Sequence, residues 1–288
     1  MKLKMKRFDP SIGGTSPEGL LGFFIVLIGK RNSGKTTLLK DLCYHLRDDI
    51  DLAIAVSPTD EANQSFQTLL PAAFIFREPD EKHLERIMEH QRDQLKKKKV
   101  KNLLLILDDC AFDKNFFNTK AFRQLAFNGR HLRITVILTL QYAVSIPPSI
   151  RVQVDLVLQL NERLLNNRKT LFETFFSIVS FEEFCRILDR STTGFDCLVL
   201  YNRSRSNNLD DSFFWYAANP EDSNNAKLMK KSYWTMTEKT RRDLLDDDGA
   251  SSPEAKALHA EDGPAPAIGE AVGIVQLSGK TLVGGGGG

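Results

Sequence analysis

Cysteine and histidine are sparse in this 288-residue chain, and neither is patterned. The four cysteines, Cys43, Cys110, Cys185 and Cys197, are scattered without a C-x-x-C pair, and the five histidines are equally dispersed. This excludes a disulfide framework or a zinc site of ordinary ligand spacing, so the thiols read as small buried hydrophobes. Long apolar runs are missing too. None reaches the roughly 18 residues of a membrane span, and the opening MKLKMKRFDP lacks the apolar stretch of a signal peptide. The expectation is an intracellular protein with no membrane span. A strong charge of one sign is also absent, the net charge being +2. From Thr237 onward 5 Lys/Arg face 9 Asp/Glu, which leaves the preceding body at +6. Such a body permits contact with nucleic acid and does not require it.

What is present is ordinary globular composition, 42% hydrophobic and 26% charged. Apolar, β-branched runs recur: FFIVLI (23–28), LAIAVS (52–57), AAFIF (72–76), LLLILDD (103–109), ITVILTLQ (134–141) and VDLVLQL (154–160). Helix-period patterns separate them, at Lys35 to Leu46, 81–98, 118–127, 164–176 and 180–189. The runs are continuously apolar instead of alternating, as strands buried on both faces are. The pattern predicts an α/β fold with a mostly parallel sheet and helices on either side. FDCLVLY (195–201) and FFWYA (213–217) flank a polar RSRSNNLDD turn and read as a hairpin added to one sheet edge. Residues 1–18 read as a lead-in and 19–236 as one domain. Residues 237–288 are acidic, then Ala/Pro/Gly/Ser-rich, and are expected to be disordered.

Gly29-Lys30-Arg31-Asn32-Ser33-Gly34-Lys35-Thr36 fits G-x-x-x-x-G-K-[ST] in full, after a strand pattern and before a helix pattern. Glycines let backbone N–H groups curl around phosphate oxygens, and the helix N-terminus adds positive partial charge. Gly29, Asn32, Ser33, Gly34, Lys35, Thr36 and Thr37 are therefore the candidate nucleotide-binding set, with Lys35 on the β/γ-phosphates and the Thr36 hydroxyl on Mg²⁺. The ligand pair this implies is ATP and Mg²⁺, on a P-loop NTPase fold. The apolar run 103–107 delivers Asp108 to the end of a strand, where a parallel sheet places its ligand crevice. There Asp108 can hold Mg²⁺ and Asp109 can polarise an attacking water. Adjacent aspartates also start turns, which is the plainer reading of a lone Asp-Asp. Gln141 ends the next buried run, as a sensor of the γ-phosphate or as a strand-terminal cap. Arg130, Arg133 and Arg151 are candidates for a guanidinium supplied to a neighbouring subunit, Arg130 and Arg151 above Arg133. A nucleoside or nucleotide kinase and a nucleotide-gated assembly scaffold remain as alternatives to a hydrolase.

Two further features have plain explanations. Lys96–Lys99 and Lys101 form KKKKVK, which can contact a DNA backbone through counterion release but reads better as lysines at a helix end, favourable against its dipole. Phe213, Phe214, Trp215 and Tyr216 can stack on bases, but read better as a strand with one core face.

The loop GKRNSGKTTLL, the strand LLLILDDCAF, the segment GRHLRITVILTLQYAVSIPPSIRVQVD and the late YNRSRS…DSFFWY together resemble the genome-packaging ATPases of large nucleocytoplasmic DNA viruses. These are poxvirus-type members of the FtsK–HerA superfamily. The resemblance covers residues 20–217. It implies a three-layer, RecA-like fold with an additional strand, and a homo-oligomeric ring that drives double-stranded DNA into a capsid. Capsid or portal proteins would be its partners, and the host cytoplasm at the assembly site, or the virion, its location. Carried over by position, Asp108 holds Mg²⁺, Asp109 takes the catalytic carboxylate's role, Gln141 is the sensor and Arg130 a finger. Asp-Asp stands where the wider superfamily has Asp-Glu, which leaves the identity of the base open. No nuclease motif follows.

Overall fold

The computed structural model describes residues 5–10, 19–58, 65–110, 115–143 and 146–237. The tail from 238 onward and most of the lead-in lie outside them. The strands are β1 (Lys6–Arg7), β2 (Phe24–Ile28), β3 (Leu52–Val56), β4 (Ile75–Phe76), β5 (Leu103–Leu107), β6 (Ile134–Leu140), β7 (Leu156–Gln159), β8 (Cys197–Tyr201) and β9 (Phe213–Tyr216). They form one sheet in the order β1-β9-β8-β7-β2-β6-β5-β3-β4. From β4 to β7 every pairing is parallel; β8 runs antiparallel to β7 and to β9. The helices are α1 (Lys35–Leu46), α2 (Glu81–Lys96), α3 (Lys120–Asn128), α4 (Pro148–Arg151), α5 (Leu165–Leu171), α6 (Phe181–Ser191) and α7 (Pro220–Asn225).

The continuous apolar runs are explained by two cores, one on each face of the sheet. Strand side chains alternate between faces. Phe24, Val26, Leu103, Leu105 and Leu107 pack with Leu84, Ile87 and Met88 of α2 and Phe122 of α3. The intervening Ile25, Leu27, Leu104 and Ile106 pack with Leu38, Leu39 and Leu42 of α1. Each buried Leu or Ile contributes about 1.5–3 kcal/mol, so both faces of these strands must be covered. The result is the predicted three-layer α/β arrangement. β6 is the additional strand, inserted between β2, which carries the glycine loop, and β5, which carries the aspartates.

Several local expectations need adjustment. Only Ile75–Phe76 of the 72–76 run is strand, because Ala72–Phe74 winds into a 3₁₀ turn after Pro71. The 164–176 pattern is α5 followed by a π-helical turn, Phe172–Phe176. The hairpin β8–β9 forms as read but is not the outermost edge. Lys6–Arg7, from the stretch read as a lead-in, pairs in parallel with Phe214 and Trp215. Phe8 behind it is buried edge-on against Phe214 and Tyr216. Tyr216 in turn donates a hydrogen bond to Asp41, a fully buried carboxylate of α1 that also accepts from the Asn219 N–H at 3.0 Å. This bond ties α1 to the hairpin. Three of the cysteines are buried and all four are free thiols. Lys96–Lys99 are exposed at the end of α2, with Lys96 paired to Asp93. Among the described residues no helix is long and apolar enough to cross a membrane.

Candidate nucleotide site

Strand register builds the site. Val56 lies beside Leu107, and Leu107 beside Leu138. One residue further along, Ser57, Asp108 and Thr139 therefore stand abreast. The Thr139 hydroxyl donates to Asp108 Oδ1 at 2.6 Å and the Ser57 hydroxyl to Oδ2 at 3.0 Å. Burial pushes the Asp108 carboxyl above its ordinary range. The Thr139 hydroxyl opposes that shift and the charge of Asp109 adds to it.

Asp109 turns out of the strand. Its φ is +48°, left-handed, a conformation that Asp tolerates better than most residues. Its N–H donates to Thr139 Oγ1 at 3.1 Å. The turn aims the carboxylate at the glycine loop, where Lys35 Nζ donates to Oδ1 at 2.7 Å. Gln141 Nε2 donates to Oδ2 at 3.1 Å. Gln141 is in reach because Ile28 pairs with Leu140, which sets the end of β6 beside the start of the loop.

The loop is shaped for close backbone approach. Gly34 has φ +93° and Asn32 +60°. A Cβ on Gly29 would lie 2.6 Å from Ser33 Oγ and 2.8 Å from Leu160 Cδ1, so no larger residue fits without moving both. The Ser33 hydroxyl closes the turn by donating to the Lys30 carbonyl at 2.7 Å. Side-chain caps start α2, α3 and α6, whereas α1 has neither a side-chain cap nor an acidic residue in its first turn. Its first N–H groups are thus available to an anion. Thr36 is exposed and Thr37 half-buried at this end.

The structure thus gathers Lys35, Asp109 and Gln141, with Asp108 directly behind. Sequence reasoning missed Ser57, Thr139 and Glu162. Glu162 pairs with Lys30 of the loop at 2.8 Å and accepts from Asn167 at 2.8 Å. Burial works to raise its carboxyl, but hydrogen bonds from Lys30, Asn167 and the Leu164 N–H outweigh this and hold it below the usual range. Nothing in the run singled out Thr139: ITVILTL carries two hydroxyls, and Thr135 serves elsewhere, accepting from the Gly22 N–H at 2.9 Å.

The structure gives the candidate finger Arg130 a different engagement. Its guanidinium pairs with Asp155 at 3.2 Å, and Asp155 also accepts from the Phe24 N–H at 2.8 Å. Both partners sit where β7 and β2 begin, at the edge of the sheet opposite the glycine loop. Five strand residues separate the two edges by about 16 Å. Arg133 is exposed at the start of β6, and Arg151 donates to the Ile146 carbonyl at 2.8 Å. Arg130→Ala is expected to cost about 1–2 kcal/mol in urea unfolding, since a buried carboxylate loses a partner that is itself partly exposed. Hydrolysis per folded subunit should hold; a 10³- to 10⁵-fold loss would mark a finger instead.

Asp108 carries a pH prediction. The folded state holds its proton more tightly than the unfolded chain does. Stability from this group is therefore full below the ordinary carboxylate range and is lost as pH rises through the raised one. Ligand-free Asp108→Asn, neutral throughout, should melt above the parent at neutral pH and show no such gain at acid pH, which thermal melts at both pH values check.

A model of the poxvirus A32 protein family matches residues 20–167, just over half of the chain, including the loop, both aspartates and Gln141. The chain belongs to the poxvirus A32 protein family. Uncharacterized protein 015R of Frog virus 3 (isolate Goorha) is 32% identical over 234 residues, 80% of this chain and 69% of that protein. Uncharacterized protein L437 of Acanthamoeba polyphaga mimivirus is 31% identical over 205 residues, 67% of this chain and 72% of its own length. Among solved structures, this A32-family chain is similar in fold to B204, the DNA-packaging ATPase from Sulfolobus Turreted Icosahedral Virus. The TM-score is 0.52 and the identity 17%, over 69% of this chain and 98% of that one. It is similar also to the pCW3 conjugation coupling protein TcpA, with a TM-score of 0.53 and 14% identity, over 77% of this chain and 66% of that one. At such identities the likeness concerns the fold.

Proposed function

We propose that this A32-family protein is an ATPase, working as a homo-oligomeric ring, that uses ATP hydrolysis to move double-stranded DNA into a viral capsid during virion assembly. The observation that carries the reading is the convergence of Lys35 and Gln141 on the two oxygens of Asp109 at the mouth of the glycine loop. Membership of the A32 family and a fold shared with a viral DNA-packaging ATPase support the DNA-packaging part.

The loop N–H groups and the uncapped end of α1 receive the phosphates of ATP. Lys35 exchanges Asp109 for the β/γ-phosphates, which frees the Asp109 carboxylate to accept a proton from water. That water's oxygen bonds to the γ-phosphorus, the bond to the β–γ bridging oxygen breaks, and ADP leaves with the electron pair. Gln141, bonded to the same carboxylate and set at the end of β6, is placed to register whether the γ-phosphate is present. The surrounding donors are carboxylate and hydroxyl oxygens, the hard ligands that Mg²⁺ takes, and Asp108 and Thr36 would hold it. When bound, Mg²⁺ neutralises charge that develops on the phosphates.

The test is the ATP hydrolysis rate with and without duplex DNA, over a range of protein concentrations. Stimulation by DNA, with activity per subunit falling on dilution, is expected. ATP consumption only with an added nucleoside would replace this reading with phosphotransfer, and ATP binding without turnover would replace it with a scaffold.

A further inference from the structure

We propose that Phe195 is the platform on which the base of the bound nucleotide stacks, which makes the loop a site for nucleoside triphosphates and not for triphosphate alone. The inference rests on the nucleotide reading of the glycine loop and extends it to a residue outside the 20–167 family match.

Phe195 is 72% exposed, more than Phe127 at 44% or Tyr142 at 55%. A ring so exposed gains nothing from the core, yet it stands against the phosphate loop. A Cβ built on Gly34 would meet Phe195 Cδ1 at 3.1 Å, with its Cβ and Cγ at 3.7 Å. Gly34 directly precedes Lys35, so one edge of the ring abuts the loop's last glycine while most of its surface faces solvent.

Sheet order gives the direction in which a nucleotide would lie. Asp109 and Gln141 come from the ends of β5 and β6, on one flank of β2. Phe195 comes from the turn leading into β8, on the other flank, beyond β7. A triphosphate whose terminal phosphate faces Asp109 therefore extends its ribose and base across the loop toward Phe195. The turn is fixed at its root. The Thr192 hydroxyl donates to the Leu188 carbonyl at 2.7 Å, and Asn161 Nδ2 donates to the Thr192 carbonyl at 3.1 Å. Gly194, just before Phe195, has φ +67° and nothing within 4 Å of where a Cβ would be, so this part of the turn is uncrowded. Every base has a π-face, so such a platform holds a base without selecting among bases.

The test compares Mg²⁺-ATPγS with Mg²⁺-tripolyphosphate by calorimetry on the full chain. Phe195→Ala is expected to weaken ATPγS by about 5- to 150-fold and to leave tripolyphosphate unchanged. Phe195→Trp should retain ATPγS affinity, with indole fluorescence that changes on ATPγS and not on tripolyphosphate. Equal weakening of both ligands by Phe195→Ala would overturn the proposal in favour of a role in shaping the loop. Unchanged ATPγS affinity with an altered sedimentation coefficient would overturn it in favour of a subunit contact. Parent protein that binds tripolyphosphate but not ATPγS would sink the platform alone, whereas binding of neither would sink the nucleotide reading with it.

Discussion

Asp109→Asn is expected to slow ATP hydrolysis by about 10²- to 10⁴-fold, the range for loss of a general base, while ATP binds at least as tightly as to the parent. The second half of this expectation comes from the ion pair. Lys35 pairs with Asp109 at 2.7 Å, and ATP must break that contact to claim the ammonium. An amide at 109 removes the competitor without altering the side chain's shape. Single-turnover kinetics paired with an ATPγS titration separate the two effects. Parallel losses in rate and affinity would mean that Asp109 serves chiefly to hold the loop. An unchanged rate would move the base elsewhere.

This bears on how an aspartate, one methylene shorter than glutamate, reaches the glycine loop. The left-handed φ at Asp109 compensates by tipping the residue out of the strand toward Lys35 and Gln141. The Asp109 N–H bond to Thr139 Oγ1 holds that turn, and Thr139 also fixes Asp108. One buried hydroxyl on the additional strand thus orients both carboxylates.

Much of this was legible in the sequence, for reasons that name its limits. Runs such as LLLIL and ITVILTL are apolar at every position only when both faces are covered, so the parallel three-layer sheet followed directly. The glycine loop is a local motif and could be read locally. Ser57 and Thr139 could not, because their roles depend on which strands lie abreast and in what register, and apolar runs of similar length do not encode that. The same holds for the partner of Arg130: Asp155 lies outside GRHLR and meets the guanidinium only where two strands begin. β1 escaped notice because two residues, Lys6 and Arg7, carry no periodicity. Their strand character comes from pairing with β9 and from Phe8 anchoring the segment.

Lys35→Ala is expected to weaken ATP binding by about 30- to 5000-fold, the 2–5 kcal/mol typical of truncating a buried charge partner. It should also lower the stability of the ligand-free protein. Lys35 is 8% exposed, and its removal leaves the Asp109 carboxylate, 18% exposed, facing the loop without its cation. An uncompensated, largely buried charge costs more than an absent pair. Lys35→Ala combined with Asp109→Asn should therefore recover stability toward the parent without recovering ATP affinity. Urea unfolding of the two single variants and the double variant measures the coupling. Additive losses would show that the ion pair contributes nothing to the fold. Recovery of both stability and binding would show that Lys35 acts on the loop's shape and not on the phosphates. Only stability rescued without binding rescued fits a lysine that Asp109 holds and yields to ATP.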